Sequence, residues 1–192
     1  MCGNGGRCLV KFAYHRGIVR SSYHFMAVDG EHTAEIDGDG TVSLQMQNVD
    51  LVNYHNSYAL INTGSPHFVK FANNVEDIDV VETGREIRYS KEFKEQGINV
   101  NFVESVDEDG IFVRTYERGV EDETMSCGTG VTASAIALSE QLALSDGDYT
   151  IGIQTPGGNL VVKFHKDAGT YTDVWLCGPA TAVFKGNIEL NN

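Results

Sequence analysis

The sequence has little proline, three residues in 192, against 21 glycines. That balance argues against stiff extended linkers and for tight turns between strands. Basic residues are also few: 14 Lys and Arg face 27 Asp and Glu, a formal net charge of −13. Such a field repels nucleic acid and anionic membrane, and no basic patch offsets it, so neither is an expected partner. The acidic residues sit in loop-like stretches such as "VDEDG" and "SDGD", the pattern of a solvated surface. No apolar run has the length of a membrane span, and no charged-then-apolar leader precedes the first motif. The simplest reading is a cytoplasmic protein, in which disulfides are not the default. C-x-x-C and His-x-x-x-His pairs are absent, and the C-x5-C of "CGNGGRC" is not a zinc-ligand spacing. No metal and no cofactor is expected.

The chain that remains reads as β-rich. Residues 23–47 read as strands broken at "DGE" and "DGDG", and 98–118 as a hairpin about "DEDG". Four more strands are predicted at 149–155, 159–166, 171–177 and 181–188, separated by "PGGN", "KDAG" and "CGPA". Against this background stand two helices. The first is predicted over 5–16, with Leu9, Phe12, Ala13 and Arg16 at helical spacing and Gly17 as its stop. The second is predicted over 128–143, with Val131, Ala135, Leu138 and Leu142 on one face and small residues elsewhere, so that it can be wrapped closely. A weaker helical pattern covers 76–95.

Each of the two clear helices begins directly after Cys-Gly-x-Gly, in "MCGNGGRC" (1–8) and in "SCGTGVTASA" (126–135), and a β-rich segment follows each. The repetition suggests a duplicated unit, a sheet wrapped around a helix. Singly, a glycine-rich turn before a helix is usually only a turn, and a lone cysteine usually a small buried hydrophobe. The same pattern twice, with cysteine first each time, points to chemistry.

A helix N-terminus offers unpaired N–H groups and partial positive charge. Glycine there lets an anion approach the backbone, and a thiol placed there is expected to have a lowered pKa. Two such ends facing each other could hold one carboxylate with a thiol on either side. Inversion of a stereocentre beside a carboxylate needs that arrangement: a base removes the α-proton from one face, an acid returns one to the other, and the N–H groups hold the developing charge.

On these residues the chain resembles the diaminopimelate epimerase family. The matching stretches are "MCGNGGRC" (1–8), "NTGSPHFV" (62–69), "INVNF" (98–102), "YERGVEDETMSCGTGVTASA" (116–135), "TPGG" (155–158) and "GPATAVFKG" (178–186), in the family's order. The resemblance implies an α+β fold of two pseudo-symmetric halves, each a curved sheet around a central helix. It implies cofactor-independent interconversion of LL- and meso-diaminopimelate, in lysine and cell-wall precursor biosynthesis. Cys2 and Cys127 would be the acid/base thiols, and Gly3, Asn4, Gly128 and Thr129 would hold the reacting end of the substrate. Glu117 and Arg118 would read the distal ammonium and carboxylate, with Asn99 and Ser65 beside them; Ser65 stands where the family often has Asn. His67 would line the site. Cys8 and Cys177 are expected in the core.

In the family about a quarter of the chain precedes the first cysteine motif. The first half here, 1–49 with a last strand from 181–192, is therefore expected to be incomplete, and the second half, 50–180, complete. An unfinished sheet favours self-association, as a homodimer. Three rival readings follow. A proline-racemase-like enzyme resembles "CGHG" at the first motif, where this chain has Asn4 in place of His. A truncated, catalytically inactive epimerase-fold protein is the second rival, and a thiol redox protein, lacking C-x-x-C, the third.

Overall fold

The computed structural model describes residues 2–107 and 110–189. Three helices, α1 (Gly3–His15), α2 (Val80–Arg88) and α3 (Gly128–Gln141), accompany twelve strands. The strands are β1 (Tyr23–Ala27), β2 (Gly30–Ile36), β3 (Val42–Gln45), β4 (Val52–Tyr54), β5 (Ala59–Asn62) and β6 (Pro66–Phe71). They continue with β7 (Asn99–Asp107), β8 (Gly110–Glu117), β9 (Asp122–Thr124), β10 (Gly147–Thr155), β11 (Gly158–Asp167) and β12 (Thr170–Gly178). All belong to one sheet, in the order β1-β2-β3-β12-β11-β10-β8-β7-β6-β5-β4, with β9 paired to β8. The ladder is antiparallel except at β6/β7 and β8/β10. The fold is thus α+β, as expected.

The sheet from β4 to β12 curls around α3, which touches strands β4 to β8 and β10 to β12. Eleven residues of α3, from Gly128 to Ser139, are buried. Its Ala, Ser, Thr and Gly side chains allow this, because strands can approach a thin helix on every side. The apolar set predicted for this helix is therefore not one face. Leu142 caps the helix and is 50% exposed, because α3 ends at Gln141. Ser139 Oγ pairs with Tyr171 Oη at 3.0 Å, and Lys166 Nζ reaches Leu144 O at 2.9 Å and Glu140 at 3.0 Å. Those contacts anchor the C-terminal end of α3 to β11 and β12.

Helix α1 is covered on one side only, by β2, β3 and the start of α3. Its buried face is Gly3, Gly6, Arg7 and Val10, while Leu9 and Phe12 of the predicted face are exposed. The buried stripe keeps helical spacing, and Gly3 stands in it because the close approach of Gly128 leaves no room for a side chain. Cys8, expected in the core, is exposed on the outer side of α1. Cys177 is buried, and its Sγ accepts a hydrogen bond from Ser43 Oγ at 3.2 Å.

Three further elements differ from their expected extents. The 76–95 pattern yields only α2, Val80–Arg88, capped by Asp79, whose carboxylate accepts Glu82 N–H at 2.9 Å. A 3-10 turn, Val75–Asp77, precedes it. Strands β4, β5, β6 and β9 have no counterpart among the predicted elements. Residues 181–188, predicted as a strand, carry no ladder; 181–189 run exposed past α1. Without a ladder partner the pattern of "TAVFKGNI" does not produce a strand. The tip of the "DEDG" hairpin, 108–109, and residues 190–192 lie outside the described residues; Asp107 and Gly110 pair across the tip.

Candidate active site

Cys2 is the N-cap of α1 and Cys127 the N-cap of α3, both with extended backbone and neither with a side-chain cap. The carbonyl of Cys2 accepts Gly6 N–H, and that of Cys127 accepts Val131 N–H, each at 2.9 Å. The first-turn N–H groups beyond each cysteine lack an intrahelical partner by helix geometry. The two helix starts meet at Gly3 and Gly128: a Cβ on Gly128 would lie 3.1 Å from Gly3 Cα. Leu176, on β12, packs against both.

A cavity of about 440 Å³ opens where the helices meet. Cys2, Gly3 and Asn4 line it from α1, and Cys127, Gly128 and Thr129 from α3. Ser65, Asn99, Glu117 and Arg118 line it from the ends of the central strands. All ten of these sequence-predicted residues therefore share one cavity. Gly64, Thr124 and Ser126 join them. The Thr124 and Ser126 hydroxyls are buried without a partner, so they present unused polar atoms at the wall. Both follow from β9 running straight into the second cysteine motif, which the polar composition of "DETMS" does not reveal.

The far end of the cavity is a braced set. Asn99 Nδ2 donates to Ser65 Oγ at 2.9 Å and to Pro66 O at 3.0 Å, and its Oδ1 accepts Arg118 N–H at 2.9 Å. Arg118 Nη1 donates to Gln96 O at 2.9 Å, and Nη2 lies 3.5 Å from Ser65 Oγ. The guanidinium keeps donors free for an anion. Ser65 is short, and Asn99 fills the reach that a longer side chain would have.

The near end is governed by burial. Cys127 is 9% exposed, and desolvation pushes its thiol pKa up, against the expectation of a lowered value. The Thr129 hydroxyl and Gly130 N–H oppose the rise, while Glu117 and Cys2 add to it. Near neutral pH Cys127 therefore carries its proton.

His67 stands behind the cavity wall rather than in it. It is fully buried on β6, and burial, with a smaller contribution from Arg118, pushes its pKa down to about 3. Asn101 Nδ2 faces both Phe68 O, at 3.2 Å, and His67 Nδ1, at 3.1 Å, so Nδ1 is the acceptor and Nε2 holds the proton. Nε2–H then donates to Thr129 Oγ1 at 2.9 Å. The Thr129 O–H is left to point at Cys127 Sγ, 3.5 Å away. Thr115 Oγ1 donates to Asn101 Oδ1 at 3.0 Å and closes the chain. Asn101 escaped the sequence reading, though its spacing of two from Asn99 placed both on one face of a strand.

Two helix starts, each opened by Cys-Gly, meet on one cavity inside a curled sheet, and this fold has counterparts among solved structures. A hydroxyproline epimerase from Agrobacterium vitis has the same fold, with a TM-score of 0.67 at 14% identity over 93% of this chain and 64% of that one. The sequence goes further than the fold. The model of the diaminopimelate epimerase family matches residues 59–183. A diaminopimelate epimerase from Flavobacterium psychrophilum is 47% identical over 98% of this chain and 73% of its own length. One from Aquifex aeolicus is 40% identical over 98% and 70%. The chain belongs to the diaminopimelate epimerase family, a family of isomerases. Among the described residues no helix is long and apolar enough to cross a membrane.

Proposed function

We propose that this chain interconverts LL- and meso-diaminopimelate by a two-base mechanism with Cys2 and Cys127, serving lysine and cell-wall precursor synthesis. The observation that carries the reading is the meeting of the two cysteine-capped helix starts at Gly3 and Gly128 on one cavity.

The substrate's α-carboxylate sits between the two helix starts, where first-turn N–H groups converge. Cys127 enters as the thiol, in keeping with its raised pKa. In that direction Cys2 is the thiolate. It takes the α-proton, and the C–H electron pair moves into the carboxylate, whose growing negative charge the N–H groups stabilise. Cys127 S–H then delivers its proton to the opposite face of the carbon. The enzyme ends with Cys2 protonated and Cys127 as thiolate, and the reverse reaction restores it. The Thr129 O–H, held by His67, hydrogen-bonds the Cys127 thiolate as it forms. Glu117 suits the ammonium next to the reacting carbon or at the distal end, and Arg118 the distal carboxylate, a charge-assisted pair.

The experiment is exchange in deuterated water. LL-diaminopimelate incubated with the chain should lose its α-proton signal and yield the meso isomer. Cys127→Ala should form no meso isomer while unfolding at the same temperature as the parent. Meso isomer formed by Cys127→Ala at the parent's rate would sink the two-thiol mechanism.

A further inference from the structure

A second cavity, about 490 Å³, lies on the other side of the α1 start and shares Asn4 and Ser126 with the first. Residues without a role in the chemistry above converge on it from three sequence motifs: Arg7 from "MCGNGGRC", Gly157 and Gly158 from "TPGG", and Thr181 from "GPATAVFKG". Arg7 is the unusual member. It is 5% exposed, and its Nη2 donates to Asn4 Oδ1 at 2.7 Å. Nε and Nη1 are buried with no partner. Among the described residues no carboxylate forms an ion pair with it. A buried guanidinium without an acid is among the costliest arrangements in a fold, and proteins pair such groups. Here the pairing acid is missing, and a cavity of ligand size adjoins the unpaired group.

We propose that this second cavity is a carboxylate site, in which an anionic carboxylate neutralises the Arg7 guanidinium. Gly178 of β12 lies against Arg7 Nε, and the stretch about Thr181, which has no ladder hydrogen bonds, walls the cavity on its outer side, so an anion approaches Nη1 from that side without breaking a sheet. Occupancy is felt next door. Asn4 Oδ1 accepts from Arg7, which turns its Nδ2 towards Ser126 O, 3.5 Å away, and the first cavity. The carboxylate has two sources, a small free acid or an acidic side chain of a polypeptide segment.

The test does not depend on turnover, and so stands apart from the function proposed above. Amide spectra of the chain are recorded while malonate is titrated at constant ionic strength against chloride. Saturable shifts at Gly157, Gly158 and Thr181 are expected in the parent. In Arg7→Gln they should need at least about tenfold more malonate, as loss of a charged hydrogen bond implies. Shifts confined to Gly64 and Thr129 would place the anion in the first cavity and overturn the proposal, as would the absence of saturation. If Arg7→Gln does not fold, the parent titration alone decides, and Arg118→Gln, which should keep the Gly157 and Thr181 shifts, is the second variant. Acetyl-Ala-Ala-Asp-Ala-Ala-amide distinguishes the sources: tighter binding than malonate points to a polypeptide side chain, weaker binding to a free acid.

Discussion

Gly3 and Gly128 touch backbone to backbone: a side chain's first carbon on either would lie 3.3 Å or less from the Cα of the other. That contact sets the separation of the cysteines, because each glycine directly follows one. It also explains why glycine stands at both places although neither has a positive φ. The requirement is space, not backbone freedom.

Gly128→Ala should therefore act on geometry. The added methyl meets Leu176 Cδ2 at 3.0 Å as well as Gly3 Cα, and it must force the helix starts apart. Overpacking of this kind costs about 1–3 kcal/mol of stability. A displacement near 1 Å at the reacting groups lowers turnover by roughly 100-fold. Denaturant unfolding and α-proton exchange on the same preparation check both. Unchanged exchange would mean that the glycine contact does not set the thiol separation.

Arg118→Ala should weaken substrate binding more than it slows the chemical step. The guanidinium is held by Gln96 O and lies beside Ser65, away from the cysteines. Loss of a charged hydrogen bond costs about 1.5–3 kcal/mol. The expectation is a rise in KM of roughly tenfold or more with a smaller change in kcat. A fall in kcat at constant KM would assign Arg118 to the chemistry instead.

Thr129→Val keeps the shape of the side chain and removes the hydroxyl that joins His67 to Cys127. Two effects should follow. The His67 Nε2–H loses its acceptor in a buried site, a cost of about 1–3 kcal/mol in urea unfolding. The Cys127 thiol loses a hydrogen bond that holds its pKa down, so its pKa rises further. Alkylation of Cys127, followed by mass spectrometry against pH, should shift to higher pH. An unshifted profile would show that the Thr129 proton does not reach Sγ.

The cysteine motifs, the two helices that follow them and the strands of the second half were legible because each has a local signature. Cys-Gly-x-Gly marks a helix start, and alternation flanked by Asp-Gly marks a hairpin. Strands β4 to β6 were not: "DLVNYHNSY", which holds β4, carries polar residues through both faces, and the three take their order from pairing β4 to β5, β5 to β6 and β6 to β7. The buried face of α1 was misread for a related reason. Apolar spacing picks out Leu9 and Phe12, but α1 turns Gly3 to the start of α3, a close approach that admits glycine, and Val10 into the core beside β2 and β3. Ten residues of the cavity wall were legible as types in motifs; Gly64, Thr124 and Ser126 were not. The layer behind it was not. His67, Asn101 and Thr115 become one hydrogen-bonded row only through the register of β6, β7 and β8, which places Asn101 opposite Thr115 and Val69.

That buried row makes a prediction about acid stability. In the folded chain His67 protonates only at about pH 3, because burial excludes the imidazolium; an ordinary imidazole does so at 6.5. Below 6.5 the unfolded chain binds a proton at this position that the native chain refuses. Stability therefore rises with pH across the interval. The His67 contribution is fully present above 6.5 and is lost progressively as pH falls towards 3. The slope is about 1.4 kcal/mol per pH unit well inside the interval. In His67→Gln the side chain does not titrate, while its amide can still donate towards Thr129. The variant should be less stable than the parent at pH 7.5, and its stability should fall less steeply between pH 6 and pH 4, by about that slope. Urea unfolding at half-unit steps of pH measures both curves. Parallel curves would mean that His67 is protonated in the native chain and that the hydrogen-bonded row to Cys127 runs the other way.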